Sequence, residues 1–277
     1  MSRREVNQSA RKARRWRKVT SRSLIVALVL SMAAGCSSKD IPRFAMPDPV
    51  TEQGRKILTL WQGSWLAAWF VGAVVWGLII WCVIAYRKRG EKVPPQLTYN
   101  GPIEILYTVV PIIFISFLFY FTARDQSDIN KLSKDPAVTV EVIGFQWDWQ
   151  FNYLDSANEK SARTVAQVTG DNAHGHPATL ELPAGETVRF KLASPDVVHA
   201  FWVPVFLFKR DVIPGRVNQF EVTIDADKAG HTYIGRCTEF CGLNHDEMLF
   251  YLKIVDQATY KADLAKMSAQ YQAGSSS

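Results

Sequence analysis

Cysteine and histidine are scarce in this 277-residue chain, which contains four of the first and five of the second. No C-x-x-C-H sequence occurs, so a covalently attached c-type haem is excluded. The chain shows no internal repeat. Low-complexity disorder of the whole chain is also excluded, because 48% of the residues are hydrophobic and only 21% are charged.

Acidic residues are nearly absent from the first 35 positions, which carry nine Lys/Arg and one acid, Glu5. This segment therefore has a net charge of +8, whereas the whole chain has +6, which leaves −2 for the remainder. Once residues 1–35 are set apart, the net charge of the remaining chain gives no support to a basic nucleic-acid-binding surface. We predict no nucleic-acid partner.

The N-terminus has the layout of an export signal. Residues 1–23 are polar and cationic, and residues 24–35 form an apolar run that ends in small side chains and is too short to span a bilayer. Ala33-Ala34-Gly35-Cys36 resembles a bacterial lipobox. We predict that the signal peptide 1–35 is cleaved and that Cys36 is lipidated; the alternative is a plain signal peptide with an incidental cysteine.

Two longer apolar stretches predict a transmembrane hairpin. Residues 64–86 contain no charge and residues 102–122 contain one, and each stretch is long enough to span the bilayer as a helix. The connecting loop 87–101 carries Arg87, Lys88, Arg89 and Lys92. By the positive-inside rule this loop is cytoplasmic, so segment 36–63 and everything after residue 122 lie outside. We predict a multi-pass protein of a bacterial cell membrane.

The single charge of the second stretch is Glu104. An acid near the end of a membrane helix either reaches the interface or lines a polar path. The residues alone leave both possibilities open.

Beyond a linker at 123–136, residues 137–255 show the period-2 alternation of half-buried β-strands. Several short strands in this length predict an exported Greek-key β-sandwich, so the fold class is a membrane-anchored all-β protein. Residues 155–178 are polar and irregular, which predicts a surface insertion. Residues 256–277 predict a terminal helix that begins at an N-cap, Asp256, and ends near Gln272, followed by a disordered tail.

The densest chemistry has the pattern C-x3-C-x3-H-x2-M, formed by Cys237, Cys241, His245 and Met248, and His199 lies upstream. Soft sulfur and imidazole favour copper or zinc. Three interpretations compete: a disulfide between the cysteines, a structural zinc site, and a copper electron-transfer site. In the third, two thiolates bridge two coppers, and each copper is completed by one histidine.

The segment from Cys237 to Met248 resembles the CuA motif of cytochrome c oxidase subunit II, C-x-E-x-C-x3-H-x2-M, at every position. The resemblance implies a cupredoxin-like domain that binds a binuclear copper centre, CuA. The implied ligands are His199, Cys237, the Glu239 backbone oxygen, Cys241, His245 and Met248. It also implies that the Glu239 side chain reaches a magnesium or manganese ion shared with subunit I.

Three further segments are similar to this family. Gly144 to Trp149 resembles the aromatic stretch G-x-Q-W-Y-W, which implies that Trp147 receives the electron; Asp148 stands where the family usually has tyrosine. Phe208 to Arg216 resembles a segment at the contact with subunit I. Glu104 matches the acid at the mouth of the K proton channel.

The resemblance implies an oxidoreductase subunit that passes electrons from a haem c donor to haem in subunit I, where O2 is reduced during proton pumping. The implied partners are oxidase subunits I and III, membrane lipid and the donor, which is cytochrome c or a c-type subunit of a bc complex. The lipoprotein-type leader makes the whole similar to actinobacterial oxidases. Asp148 and the polar stretch 155–178 favour the bc complex as donor, because neither is typical of a docking face for soluble cytochrome c.

Two alternatives remain beside this interpretation. One is a structural subunit of a quinol oxidase with an unusual metal site, and the other is the CuA domain of a nitrous oxide reductase. The complete ligand set argues against the first, and the paired spans argue against the second.

Overall fold

The computed structural model describes residues 41–91, 93, 95–156 and 162–275. The predicted signal peptide 1–35 and the predicted lipidation site Cys36 lie outside the described residues. The chain divides into two compact units, Met1–Met46 and Pro47–Ser277. The described part of the first unit contains a short 3-10 turn, Ile41–Arg43.

Two long apolar helices open the second unit, α1 (Glu52–Ala85) and α2 (Gly101–Ile129). Both are long and apolar enough to cross a membrane. Helix α1 has 34 residues, which is about 51 Å at ~1.5 Å per residue and exceeds the ~30 Å hydrocarbon layer. It therefore begins well before the predicted span 64–86, because apolar composition marks only the part of a helix that lipid surrounds.

Helix α2 likewise runs past the predicted span 102–122 and takes up the first part of the predicted linker 123–136. Its N-cap is Asn100, whose side chain accepts a hydrogen bond from the backbone N–H of Ile103. Pro111 lies inside the helix, which membrane bundles tolerate.

The first turn of α1 is fastened to the β-domain. Thr51 caps the helix by accepting a hydrogen bond from Gly54 N at 3.0 Å, is fully buried, and forms a β-bridge with Ile224. Gln53 accepts a hydrogen bond from the backbone N–H of Thr223 at 2.9 Å. Arg55 forms an ion pair with Asp225. Backbone and side chains together thus join the membrane helix to the sandwich.

Within the described residues, ten strands form two five-stranded sheets, ordered β3-β2-β1-β5-β8 and β4-β10-β9-β6-β7. The strands are β1 (Val138–Phe145), β2 (Asp148–Leu154), β3 (Thr164–Thr169), β4 (Ala178–Pro183), β5 (Thr187–Ala193), β6 (His199–Trp202), β7 (Lys209–Val212), β8 (Asn218–Thr223), β9 (Thr232–Cys237) and β10 (Leu249–Val255). The pairs β1–β5 and β4–β10 are parallel, and the other pairs are antiparallel.

An aromatic core lies between the sheets. Phe190 of the first sheet contacts Phe201 of the second with ring centroids 5.5 Å apart, and Phe201 stacks on Phe250 at 4.9 Å. Trp149 packs edge-on against both Phe201 and Phe250. The predicted fold class, a transmembrane hairpin followed by a β-sandwich, is confirmed.

Two details differ from the sequence expectation. The stretch 155–178 is not simply an irregular insertion, because β3 within it pairs with β2 along the edge of the first sheet. An edge strand exposes one side to water, which accounts for its polar composition. The C-terminal helix α3 (Gln257–Ser275) continues past Gln272, its predicted end, into the predicted tail. Asp256 does cap it, by accepting a hydrogen bond from Thr259 N at 2.9 Å.

Candidate metal centre

The predicted ligands come from two places in the second sheet. His199 is the first residue of β6 and Cys237 is the last of β9, and these strands are neighbours with Phe201 opposite Cys237. Cys241 and His245 lie in the loop between β9 and β10, and Met248 directly precedes β10. The antiparallel pairing therefore brings His199 to a loop some forty residues further along the chain.

The sulfur of Cys237 has an imidazole and a carbonyl beside it. Its Sγ lies 3.8 Å from Nδ1 of His199 and 3.2 Å from the backbone oxygen of Glu239. The Glu239 side chain itself is exposed. Cys237 and His199 are both buried, so this half of the site is shielded from water.

The sulfur of Cys241 has a second, equivalent set of neighbours. Its Sγ lies 3.5 Å from Nδ1 of His245 and 3.9 Å from Sδ of Met248. The two cysteine sulfurs are 3.9 Å apart. A disulfide bond needs about 2.05 Å, so both are free thiols. The structure thus brings together all six predicted ligands, with one imidazole and one weaker donor beside each sulfur.

The two thiols differ in acidity. Burial opposes ionisation of Cys237, but hydrogen bonds from His199 and from neighbouring backbone groups outweigh it and lower its pKa to about 7. Burial, together with the charge on Cys237, raises the pKa of Cys241 to about 12. Without a cation, two thiolates at this separation are therefore not compatible near neutral pH.

This donor set fits copper. Thiolate, thioether and imidazole are soft or borderline ligands that suit copper and zinc. A single tetrahedral zinc would use four donors and leave Met248 and the Glu239 carbonyl without a purpose. Within the described ranges, the one group of His, Cys, Asp or Glu side chains close enough to hold a metal is His199, Cys237 and Cys241. The predicted magnesium or manganese site at Glu239 therefore needs ligands from elsewhere.

Asp196 is a neighbour of the candidate ligands that the sequence analysis missed. Its Oδ1 lies 2.9 Å from Nε2 of His199, which directs Nδ1 of that ring towards Cys237. Burial opposes the shift, but the hydrogen bonds with Cys237 and Asp196 raise the pKa of His199. A signal was available, because a metal-ligating histidine commonly donates its other ring N–H to a carboxylate, and Asp196 is the acid nearest to His199 in the sequence.

Trp147 and Trp149 both bind the ligand loop. The indole N–H of half-buried Trp147 donates to the carbonyl of Cys241 at 3.2 Å. The indole N–H of Trp149, which is fully buried, donates to the carbonyl of Met248 at 3.3 Å. The aromatic pair thus holds both ends of the segment from Cys241 to Met248.

Asp148, between them, points inward. Its carboxylate accepts hydrogen bonds from the backbone N–H groups of Trp149 at 2.7 Å and Asn172 at 2.8 Å, and it is buried. Burial raises its pKa in spite of these bonds. Asp148 is therefore a structural support of the turn and not part of an exposed docking face. The argument for a bc complex as donor loses that basis.

Glu104 is not brought to the metal site. It lies in the first turn of α2, where its Oε1 accepts a hydrogen bond from the backbone N–H of Asn100 at 3.0 Å. In return, the side-chain oxygen of Asn100 accepts a hydrogen bond from the backbone N–H of Ile103 at 3.5 Å. The carboxylate therefore takes part in a reciprocal cap of the helix.

Comparisons with known proteins agree on one family. Residues 41–123 match "Cytochrome C oxidase subunit II, transmembrane domain", and residues 138–255 match "Cytochrome C oxidase subunit II, periplasmic domain". A "Probable cytochrome c oxidase subunit 2" of Streptomyces avermitilis is 45% identical over 97% of this chain and 93% of its own length. "Cytochrome c oxidase subunit 2" of Mycobacterium tuberculosis is 32% identical over 91% of this chain and 82% of its own.

Among solved structures, the periplasmic domain of subunit II of cytochrome oxidase (CoxB) of Bradyrhizobium japonicum is similar to 50% of this chain and 99% of that domain. The sequence identity is 23% and the TM-score is 0.42.

Proposed function

The chain belongs to the cytochrome c oxidase subunit II family, and we propose that it is the electron-uptake module of a proton-pumping oxidase in a bacterial cell membrane. It would accept electrons from a haem c donor and pass them to haem in subunit I for O2 reduction. The membrane hairpin precedes a domain on the extracytoplasmic side. The observation that carries the proposal is the pair of buried cysteine sulfurs, 3.9 Å apart, each with its own imidazole.

The residues that would hold copper are His199, Cys237, the Glu239 carbonyl, Cys241, His245 and Met248. When bound, a CuA pair supplies a one-electron carrier whose charge is shared between two metals and two sulfurs. The protein contributes rigidity, because strands β6, β9 and β10 fix both ends of the ligand segments. It also contributes a low-dielectric surrounding from side chains such as Phe201 and Val203, which are buried.

Trp147 would receive the electron. Its ring is half-buried, so one part is accessible to a donor while the indole N–H is bonded to the carbonyl of Cys241. From that carbonyl the route follows the covalent bonds of a single residue to Cys241 Sγ. Phe240 and Leu243 of the same loop are 79% and 86% exposed, and they offer apolar contact for the donor. Cytochrome c and a c-type subunit of a bc complex both remain candidates.

The remaining contacts would be with the other subunits. The exposed Glu239 side chain would reach a magnesium or manganese ion shared with subunit I. The segment from Phe208 to Arg216 contains β7, the edge strand paired with β6, and so flanks the strand of His199. The apolar faces of α1 and α2 would contact subunits I and III and membrane lipid. Cys36 would add a lipid anchor.

Glu104 would serve at the mouth of the K proton channel. Only Oε1 is committed to the cap at Asn100 N in the hydrogen bonds described. The carboxylate can therefore cap the helix and still exchange a proton.

Copper counting and low-temperature EPR on the purified complex test the proposal. We expect two coppers in this chain and a signal split equally by both nuclei. Cys241→Ser should abolish the splitting, whereas Cys82→Ser, which changes an exposed cysteine of α1, should leave it intact. A single zinc, or cysteines oxidised to each other in the active complex, would refute it. Quinol oxidation without copper would support the quinol oxidase alternative instead.

A further inference from the structure

Gln146 connects two parts of the metal centre that are far apart in sequence. Its backbone N–H donates to Asp196 Oδ2 at 2.7 Å, and its side-chain Nε2 donates to the carbonyl of Cys241 at 2.6 Å. Asp196 in turn contacts His199 Nε2 at 2.9 Å. A continuous chain of hydrogen bonds therefore runs from His199 through Asp196 and Gln146 to Cys241.

The position of Gln146 is well defined by its surroundings. It occupies the short turn between β1 and β2, where Phe145 pairs with Asp148. His199 follows the connection between β5 and β6, and Cys241 lies between β9 and β10. A turn of the first sheet thus ties together two ligand-bearing segments of the second sheet.

The space beside Cys241 is kept open by a glycine. Gly242 has φ +124°, which disfavours any other residue, and a Cβ there would lie 3.0 Å from Trp147 Cζ2 and 3.1 Å from Gln146 Nε2. The glycine therefore permits both donors to reach the carbonyl of Cys241. The carbonyl oxygen of Cys241 has two lone pairs, and it accepts one hydrogen bond from the side-chain amide of Gln146 and one from the indole N–H of Trp147.

We propose that Gln146 is a positioning residue of this centre, which holds the two ligand segments in register and sets the electrostatic environment of Cys241. This inference rests on the proposed function. The Gln146 side chain is exposed, so its packing contributes little to the fold. Its N–H dipole, however, points its positive end at a residue that carries a ligand sulfur. A positive potential there favours the reduced, more electron-rich state of the centre.

Two substitutions separate the hydrogen bond from the size of the side chain. Gln146→Met keeps the length and removes the donor, and Gln146→Glu keeps the shape and places an acceptor against the carbonyl. We expect both variants to keep copper and the melting temperature. The midpoint potential of the centre should shift downward in the order wild type, Gln146→Met, Gln146→Glu, and the copper hyperfine pattern should change.

Gln150→Ala is the matched control, because Gln150 lies on β2 and donates to Asn152 Oδ1 at 3.0 Å, away from the ligands. It should leave potential and spectrum unchanged. The measurement is a redox titration of the whole complex followed by EPR. If both Gln146 variants have the potential and the spectrum of the wild type, the positioning role is overturned. The proposed function still holds in that case, provided that the wild-type complex shows the copper signal. A wild-type complex without that signal would overturn both.

Discussion

Removal of the Asp196 carboxylate should weaken copper binding without unfolding the domain. Oδ1 is within hydrogen-bond distance of His199 Nε2 at 2.9 Å, Val197 N at 2.5 Å and Ser194 Oγ at 3.1 Å. Oδ2 accepts from Gln146 N at 2.7 Å. Asp196→Ala removes every one of these contacts and leaves the His199 ring free to turn. Asp196→Asn keeps one acceptor but presents an NH2 group to another donor.

The size of the effect follows from the role of the carboxylate. Loss of the partner that orients a ligand histidine costs about 10- to 100-fold in metal affinity, which corresponds to ~1.4 to 2.8 kcal/mol. The Asp196 side chain is 29% exposed, so water can replace some of its bonds. We therefore expect about tenfold for Asp196→Asn, and a loss closer to the upper limit of about 100-fold for Asp196→Ala.

The assay is chelator competition on the copper-loaded complex, with EPR to count the metal that remains. Asp171→Asn provides the control, because Asp171 also contacts a histidine three residues away, His174 Nδ1 at 2.7 Å, on the exposed surface. Copper retention in the control should equal that of the wild type. An Asp196→Ala complex that holds copper as tightly as the wild type would refute the orienting role.

Four further outcomes are expected. Met248→Leu should retain copper but shift its potential, because a thioether is a weak donor that would tune the metal rather than hold it. Complete copper loss on metal analysis would contradict this. Trp147→Phe, which keeps an aromatic ring but removes the indole N–H that contacts Cys241, should slow reduction by the donor in stopped-flow measurements. The EPR signal should stay intact, and normal rates would exclude this route. Copper uptake at pH 8 should release at least one proton per site, since Cys241, with its pKa raised to about 12, is still a thiol at that pH. The apparent copper affinity should therefore rise with pH. Calorimetry in two buffers that shows no proton release would disprove this. Glu104→Gln should preserve the hydrogen bond with Asn100 N but reduce proton delivery in turnover assays. Asn100→Ala should instead weaken the helix cap and leave proton delivery intact. Equal activities of Glu104→Gln and the wild type would exclude the channel role of Glu104.

Predictions from local patterns were accurate where one kind of residue dominates a stretch. Long apolar runs, one without charge and one with the single charge of Glu104, identified both membrane helices, because lipid selects for composition along a continuous segment. Their ends were not predicted, since the polar turns of α1 from Glu52 onward depend on contacts with Thr223 and Asp225 in a distant part of the chain. Strand β3 was missed for the same reason, because an edge strand is recognised by its partner and not by its own polarity.

The sequence by itself placed Cys237, Cys241, His245 and Met248 in one short segment, and the resemblance of that segment to the CuA motif implied their role as ligands. It also determined the order of membrane hairpin and β-domain. Only the tertiary structure decided which groups surround that segment: the orienting Asp196, the bridge at Gln146 and the inward direction of Asp148. Asp196 accepts a hydrogen bond from Gln146, Gln146 donates one to Cys241, and Asp148 accepts one from Asn172, and the members of each pair are distant in the sequence. Such contacts depend on how the two sheets pack, which no local pattern specifies.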